Sequence, residues 1–180
     1  GDMAGLDIGY YMRQNLNEGD YDVRTSFVYD ALVEMGRYGQ KTGAGVYDYE
    51  PGNRDPIPSP ITQKLIKQAA EKFGIEQREI SDEEIVERCF LSLFNIGCHV
   101  LEEGMAYRAS DIDIVYINGY GFPAWRGGPM YWAEHTIGLE AALNRINQFA
   151  DRYGRENWTP APMLERLVAE GGSLRDIQND

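Results

Sequence analysis

Residues 119–134 read Gly-Tyr-Gly-Phe-Pro-Ala-Trp-Arg-Gly-Gly-Pro-Met-Tyr-Trp-Ala-Glu, and they lie between two helical patterns. Four glycines, two prolines, two tryptophans, two tyrosines and one arginine share this stretch. Glycine permits backbone conformations that other residues avoid, and proline fixes φ and removes a donor. Large aromatics give such a loop an apolar anchor. Its shape is therefore specified, unlike that of a polar linker. Whether that shape does chemistry or only turns a corner depends on the segments around it.

Those segments are helical. Upstream, Ser81-Asp82-Glu83-Glu84 is a capping box that opens the longest predicted helix, to about Tyr107. Ile85, Val86, Phe90, Leu93, Phe94, Val100 and Leu101 cover much of its circumference, which marks it as central in a bundle. Ser110 to Asp113 cap a short helix, and helices follow over residues 139–153 and 160–170. Towards the N-terminus, residues 4–16 and 26–36 read as helices, with Gly36 as a C-cap. Alternation over residues 46–49 predicts a short extended piece. A proline-rich connector leads from it to Ser59-Pro60, the start of a helix ending at Gly74. The chain reads as all-α, with one small β element.

The two ends echo each other. Asp2 to Gly5 parallels Glu134 to Gly138, and Leu32 to Gly36 parallels Leu167 to Gly171. A nearly constant offset at two separate places suggests duplication. The expected organisation is a bundle of two tandem repeats. Residues 1–50 would be the remainder of a first copy truncated at its N-terminus, 51–80 a connector with one helix, and 81–180 the second copy.

Composition narrows the function classes. The chain has 180 residues, 43% hydrophobic and 26% charged, enough for a real core. A net charge of -12 disfavours nucleic acid and anionic membranes as partners. No stretch is long and apolar enough for a membrane span. Cys89 and Cys98 fall on opposite faces of one helix, and both are expected as small buried hydrophobes in a reducing compartment. With no secretory leader or peroxisomal tripeptide in this stretch, a cytoplasmic location is expected.

Catalytic groups are scarce. Gly43-Ala-Gly45 and Gly119-Tyr-Gly121 lack the third glycine and the strand–helix setting of a dinucleotide site. No cofactor site and no metal site are therefore expected here. His99 and Glu102 share a helix face, but the plain reading is a helix-end histidine beside a solvated acidic run. His135 is expected to pack against the aromatic turn. Arg126 could bind a phosphate or carboxylate with its planar fork, or hydrogen-bond the loop's own carbonyls, and the second reading is favoured. The charge of Lys41 could meet an acidic partner domain or ligand phosphates.

Two segments carry a family resemblance. Gly5-Leu6-Asp7, with residues 38–49 containing Gly39, Lys41, Thr42, Gly43, Gly45 and Tyr47, resembles the C-terminal domain of 3-hydroxyacyl-CoA dehydrogenases. The run Gly119, Gly121, Phe122, Pro123, Arg126, Gly127, Gly128 and Pro129 resembles the second copy of that domain in multifunctional fatty-acid oxidation enzymes, which also carry enoyl-CoA hydratase activity. The resemblance implies NAD-dependent oxidation of 3-hydroxyacyl-CoA in β-oxidation by a longer parent chain. It also implies a dinucleotide-binding domain and the acyl-CoA substrate as partners, and a homo-oligomer is expected. The family's catalytic histidine has no counterpart here, so these residues are expected to be structural or interfacial and the segment inactive alone. The rival expectation is a stand-alone helical interaction module.

Overall fold

A computed structural model describes residues 1–17 and 20–178. Among the described residues the fold is all-α with one antiparallel pair of two-residue strands. It divides into two compact units, Gly1–Glu79 and Ile80–Asp180.

In the first unit, α1 (Leu6–Arg13) packs on α2 (Val23–Glu34), and α2 packs on α3 (Pro60–Phe73). Leu6, Leu32, Val33 and Leu65 form its core. The Asp22 side chain caps α2 by accepting from the Arg24 N–H at 2.9 Å. Proline starts α3 and Gly74 ends it in the left-handed conformation, as the sequence predicts. Strand β1 (Tyr47–Asp48) pairs antiparallel with β2 (Ile57–Pro58), with Tyr47 opposite Pro58. Arg37 ties this hairpin down. Its guanidinium donates to the Gly45 carbonyl, to Asp48 Oδ1 at 2.6 Å and to Ser59 Oγ at 3.0 Å.

In the second unit, α4 (Asp82–Glu102) is the central helix, packed by α5 (Ala109–Gly119), α6 (Pro129–Trp132), α7 (Leu139–Tyr153) and α8 (Pro162–Glu170). Leu91, Phe94, Cys98 and Leu101 of α4 are fully buried in the core. The predicted Ser81 cap forms, accepting from the Glu84 N–H at 3.2 Å. Two boundaries differ from expectation. Helix α4 stops at Glu102 because Gly104 turns left-handed and Met105 N–H closes onto the Val100 carbonyl. Helix α5 starts earlier than Ser110 and takes Arg108 as N-cap, with Arg108 paired to Asp111 at 3.0 Å. Cys89 is exposed, against the expectation of burial, whereas Cys98 is buried.

Similar local features occur in each unit. Gly5 (φ 110°, ψ 130°) precedes α1, and Gly138 (φ 91°, ψ 138°) precedes α7. Gly36 and Gly171 follow α2 and α8 in the left-handed region. The next residues, Arg37 and Gly172, each donate back to Leu32 and Leu167 carbonyls at 2.9 Å. This closure satisfies carbonyls the helix end would leave free.

Candidate functional site

The family-motif residues form two loops, one in each unit. In the first, Gly39 starts a 3-10 turn (Gln40–Thr42), and Gly43 ends it left-handed. The Thr42 hydroxyl accepts from the Tyr38 N–H at 2.9 Å and donates into the loop's own carbonyls. The loop closes on Asp2. Val46 N–H donates to Asp2 Oδ1, and Tyr47 N–H and the Tyr49 hydroxyl donate to Oδ2, each at 3.0 Å. Gly39 and Gly45 are buried against that residue, with no room for a side chain. Burial and the Asp2 carboxylate together push the Tyr49 phenol up.

Lys41 answers its open question locally. Its ammonium is held by both Asp7 oxygens, at 2.6 and 2.7 Å, and this hydrogen bond holds the Asp7 carboxyl below its usual range. Tyr47 itself points to solvent.

The second loop leaves α5 at Gly119, turns at Gly121 and buries Phe122 against Phe90, ring centroids 4.5 Å apart. Pro123 precedes a 3-10 turn (Ala124–Arg126), and Gly127, Gly128 and Pro129 lead into α6. Here the organiser is Asp113 on α5. Its carboxylate accepts from Met130 N–H at 2.8 Å and Tyr131 N–H at 3.1 Å. These are free donors at the start of α6. Burial pushes the Asp113 carboxyl up to about 6, and the two backbone donors only partly oppose it. Glu134 plays a similar part for the turn after α8, accepting from Ser173 Oγ at 2.7 Å and Leu174 N–H at 3.0 Å.

Arg126 does not hydrogen-bond the loop's carbonyls. Its guanidinium stacks on the Trp125 ring at 4.4 Å and lies 5.6 Å from Phe90. Three of the loop's carbonyls accept instead from backbone N–H groups: Pro123 from Arg126, Ala124 from Gly127 and Gly128 from Trp132. Arg126 borders an open cleft of about 740 Å³ between α4 and α7, lined also by Glu87, Arg145 and Arg152. Glu87 pairs with Arg145 there at 3.4 Å. An apolar groove of about 500 Å³ runs between α4 and α5, past Ile96, Met105 and Tyr120.

Beside the second loop Asp113, Glu134 and His135 line a cavity of about 400 Å³, where Asp113 and Glu134 already accept from backbone N–H groups. His99 Nε2 lies 3.2 Å from the Thr159 carbonyl. Glu102 accepts from Met163 N–H and from Arg166. His135 stacks on Tyr131 at 4.3 Å. Burial pushes the Cys98 thiol up, away from a reactive thiolate. Among the described residues no three His, Cys, Asp or Glu side chains gather to hold a metal, and no helix is long and apolar enough to cross a membrane.

A dinucleotide does not fit these loops. Pyrophosphate needs free backbone N–H groups and close glycine approach at a helix start. Here the N–H groups of Val46, Tyr47, Met130 and Tyr131 are taken by carboxylates. The space beside Gly45 and Gly128 is filled by Asp2 and Asp113, whose charge would repel phosphate.

Sequence reasoning missed Asp2, Asp113 and Asn95 as organising residues. Asn95 on α4 is buried, donating to the Thr159 carbonyl at 2.8 Å and accepting from Ala161 N–H at 3.1 Å. The available signal was a polar residue on an otherwise apolar helix face.

A family model described as 3-hydroxyacyl-CoA dehydrogenase, C-terminal domain, matches residues 1–49 and 85–176. A peroxisomal bifunctional enzyme of Danio rerio is 38% identical over 94% of this chain and 26% of its own length. The Homo sapiens enzyme of the same name is 36% identical, over 94% and 25%. A peroxisomal fatty acid beta-oxidation multifunctional protein, AIM1, of Arabidopsis thaliana is 32% identical, over 99% and 25%. The chain thus spans about a quarter of the length of these curated relatives. The crystal structure of the dehydrogenase part of multifunctional enzyme 1 from C. elegans shares the fold, with TM-score 0.65 and 24% identity over 92% of this chain and 36% of that one. The relatives' names are peroxisomal, which overturns the cytoplasmic expectation. Scarce cysteines report on redox conditions. They carry no information that separates one intracellular compartment from another.

Proposed function

The chain belongs to the family of 3-hydroxyacyl-CoA dehydrogenase C-terminal domains, and from that premise we propose that it is the helical region of a longer peroxisomal dehydrogenase. That enzyme would oxidise 3-hydroxyacyl-CoA to 3-ketoacyl-CoA with NAD in fatty-acid β-oxidation. The helical region supplies one wall of the acyl-CoA cleft and a docking surface for the dinucleotide-binding domain, which holds NAD and the catalytic base. The two units are two copies of one repeat. In support, each has a positive-φ glycine, a helix pair, a left-handed closing glycine and a carboxylate on the following turn.

One observation carries the non-catalytic role. Both family-motif loops spend their polar groups internally, around Asp2 and Asp113, whose carboxylates are taken up by backbone N–H groups. A wall needs shape and an apolar surface, and closed loops provide shape. The test removes this region from the longer polypeptide. NAD binding should persist while turnover of a 3-hydroxyacyl-CoA is lost. Full turnover without these 180 residues would refute the role.

A further inference from the structure

Helices α1 and α7 begin after glycines of the same conformation, Gly5 and Gly138, a shift of 133 positions (138 − 5). At that shift Gly9 and Arg13 correspond to Ala142 and Ile146, the inward positions of α7, both fully buried. Ile8, Tyr11 and Met12 correspond to Ala141, Asn144 and Arg145, all exposed. The outward face of α7 is therefore small or polar, as a solvated helix face should be. The same face of α1 carries Ile8, Tyr11 and Met12 at i, i+3 and i+4 spacing, 52, 59 and 66% exposed. Met3, just before the helix, is 86% exposed. Unit two folds without large apolar residues here, so the fold does not require them in unit one. An exposed apolar stripe of this kind marks an interaction surface.

The stripe also limits what can cover it. The charged residues of α1 are occupied: Asp7 by Lys41, and Arg13 by Asp30. It thus offers an uncharged face to an uncharged apolar one. A free-standing dimer needs about 800 Å² from each partner, some 20–30 residues a side. One eight-residue helix offers far less. A domain tethered in the same polypeptide needs less, because the link holds it at high effective concentration. The curated relatives carry about three quarters of their length outside the match, so tethered domains are at hand.

We propose that Met3, Ile8, Tyr11 and Met12 seat the dinucleotide-binding domain of the same polypeptide. The proposal rests on the dehydrogenase reading above. Methionine oxidation by dilute peroxide reads the face directly, because an exposed thioether reacts and a covered one does not. In the 180-residue chain, Met3 and Met12 should oxidise fast, and the buried Met130 and Met163 slowly. In the longer polypeptide Met3 and Met12 should slow at least tenfold. Deleting the dinucleotide-binding domain, or introducing Ile8→Glu with Met12→Glu, should return Met3 to the fast rate. The double variant should leave the melting of the 180-residue chain unchanged. Equal rates in the two polypeptides would overturn the proposal. So would protection in the 180-residue chain that grows with concentration alongside a dimer mass. NAD reduction by the longer polypeptide with Met12 still open would remove the stripe's role and keep the dehydrogenase reading. Protection without NAD reduction would remove both the reading and the proposed occupant.

Discussion

Gly39 and Gly128 stand at φ 118° and 102°, and each presses on a buried acid. A Cβ at Gly39 would lie 2.2 Å from the Asp2 carbonyl, and one at Gly128 would lie 2.3 Å from Asp113 Oδ1. Gly39→Ala and Gly128→Ala should therefore each destabilise the protein by about 2 kcal/mol or more, from strain and clash together, as read by urea denaturation. The glycines were legible in the sequence as fixed-shape loops. The acids they press on were not, because a lone aspartate is by type a surface residue. Only backbone donors arriving from other segments, up to 45 positions away for Asp2, give it a buried role. Asp113 adds a pH dependence. Burial raises its folded value to about 6, above the ordinary carboxylate value of 3.8. The folded state therefore holds the proton more tightly. This contribution is full below the unfolded value and is lost as pH rises through the folded one. Stability should gain up to about 3 kcal/mol from this group between pH 7 and pH 4, and Asp113→Asn should flatten that window. Identical pH profiles for the two proteins would contradict this.

At the scale of elements, α4 is both core and strap. Its apolar coverage announced the first role, and the structure places four of its side chains at zero exposure. The strap is built from Asn95, His99 and Glu102, which meet the loop before α8 and the first turn of α8 itself. Periodicity could not announce that role, because the partners are backbone groups sixty or more positions away. Asn95→Ala should cost about 2–3 kcal/mol, since it leaves the buried Ala161 N–H without an acceptor. The loss should appear as faster amide exchange at Ala161 and Met163 than in the parent sequence. The hairpin shows the reverse division. Alternation over residues 46–49 predicted β1, but β2 sits in a proline-rich connector that no pattern marks as strand. Arg37 sets that pairing from outside by bonding Gly45, Asp48 and Ser59.

For the whole molecule, fold class and family were legible because loop glycines and helix caps are local signals. The compartment was not, since an address is read by a receptor and is independent of folding. The duplicated-repeat reading gives each unit its own core, with Leu32 and Leu65 in one and Phe94 and Ile146 in the other. The central claim is that these helices shape a dehydrogenase without performing its chemistry. Incubating the 180-residue chain with NAD and a 3-hydroxyacyl-CoA, beside the longer polypeptide, tests it directly by NADH absorbance. The account predicts NADH from the longer polypeptide and none above background from the chain alone. NADH formed by the chain alone would contradict it.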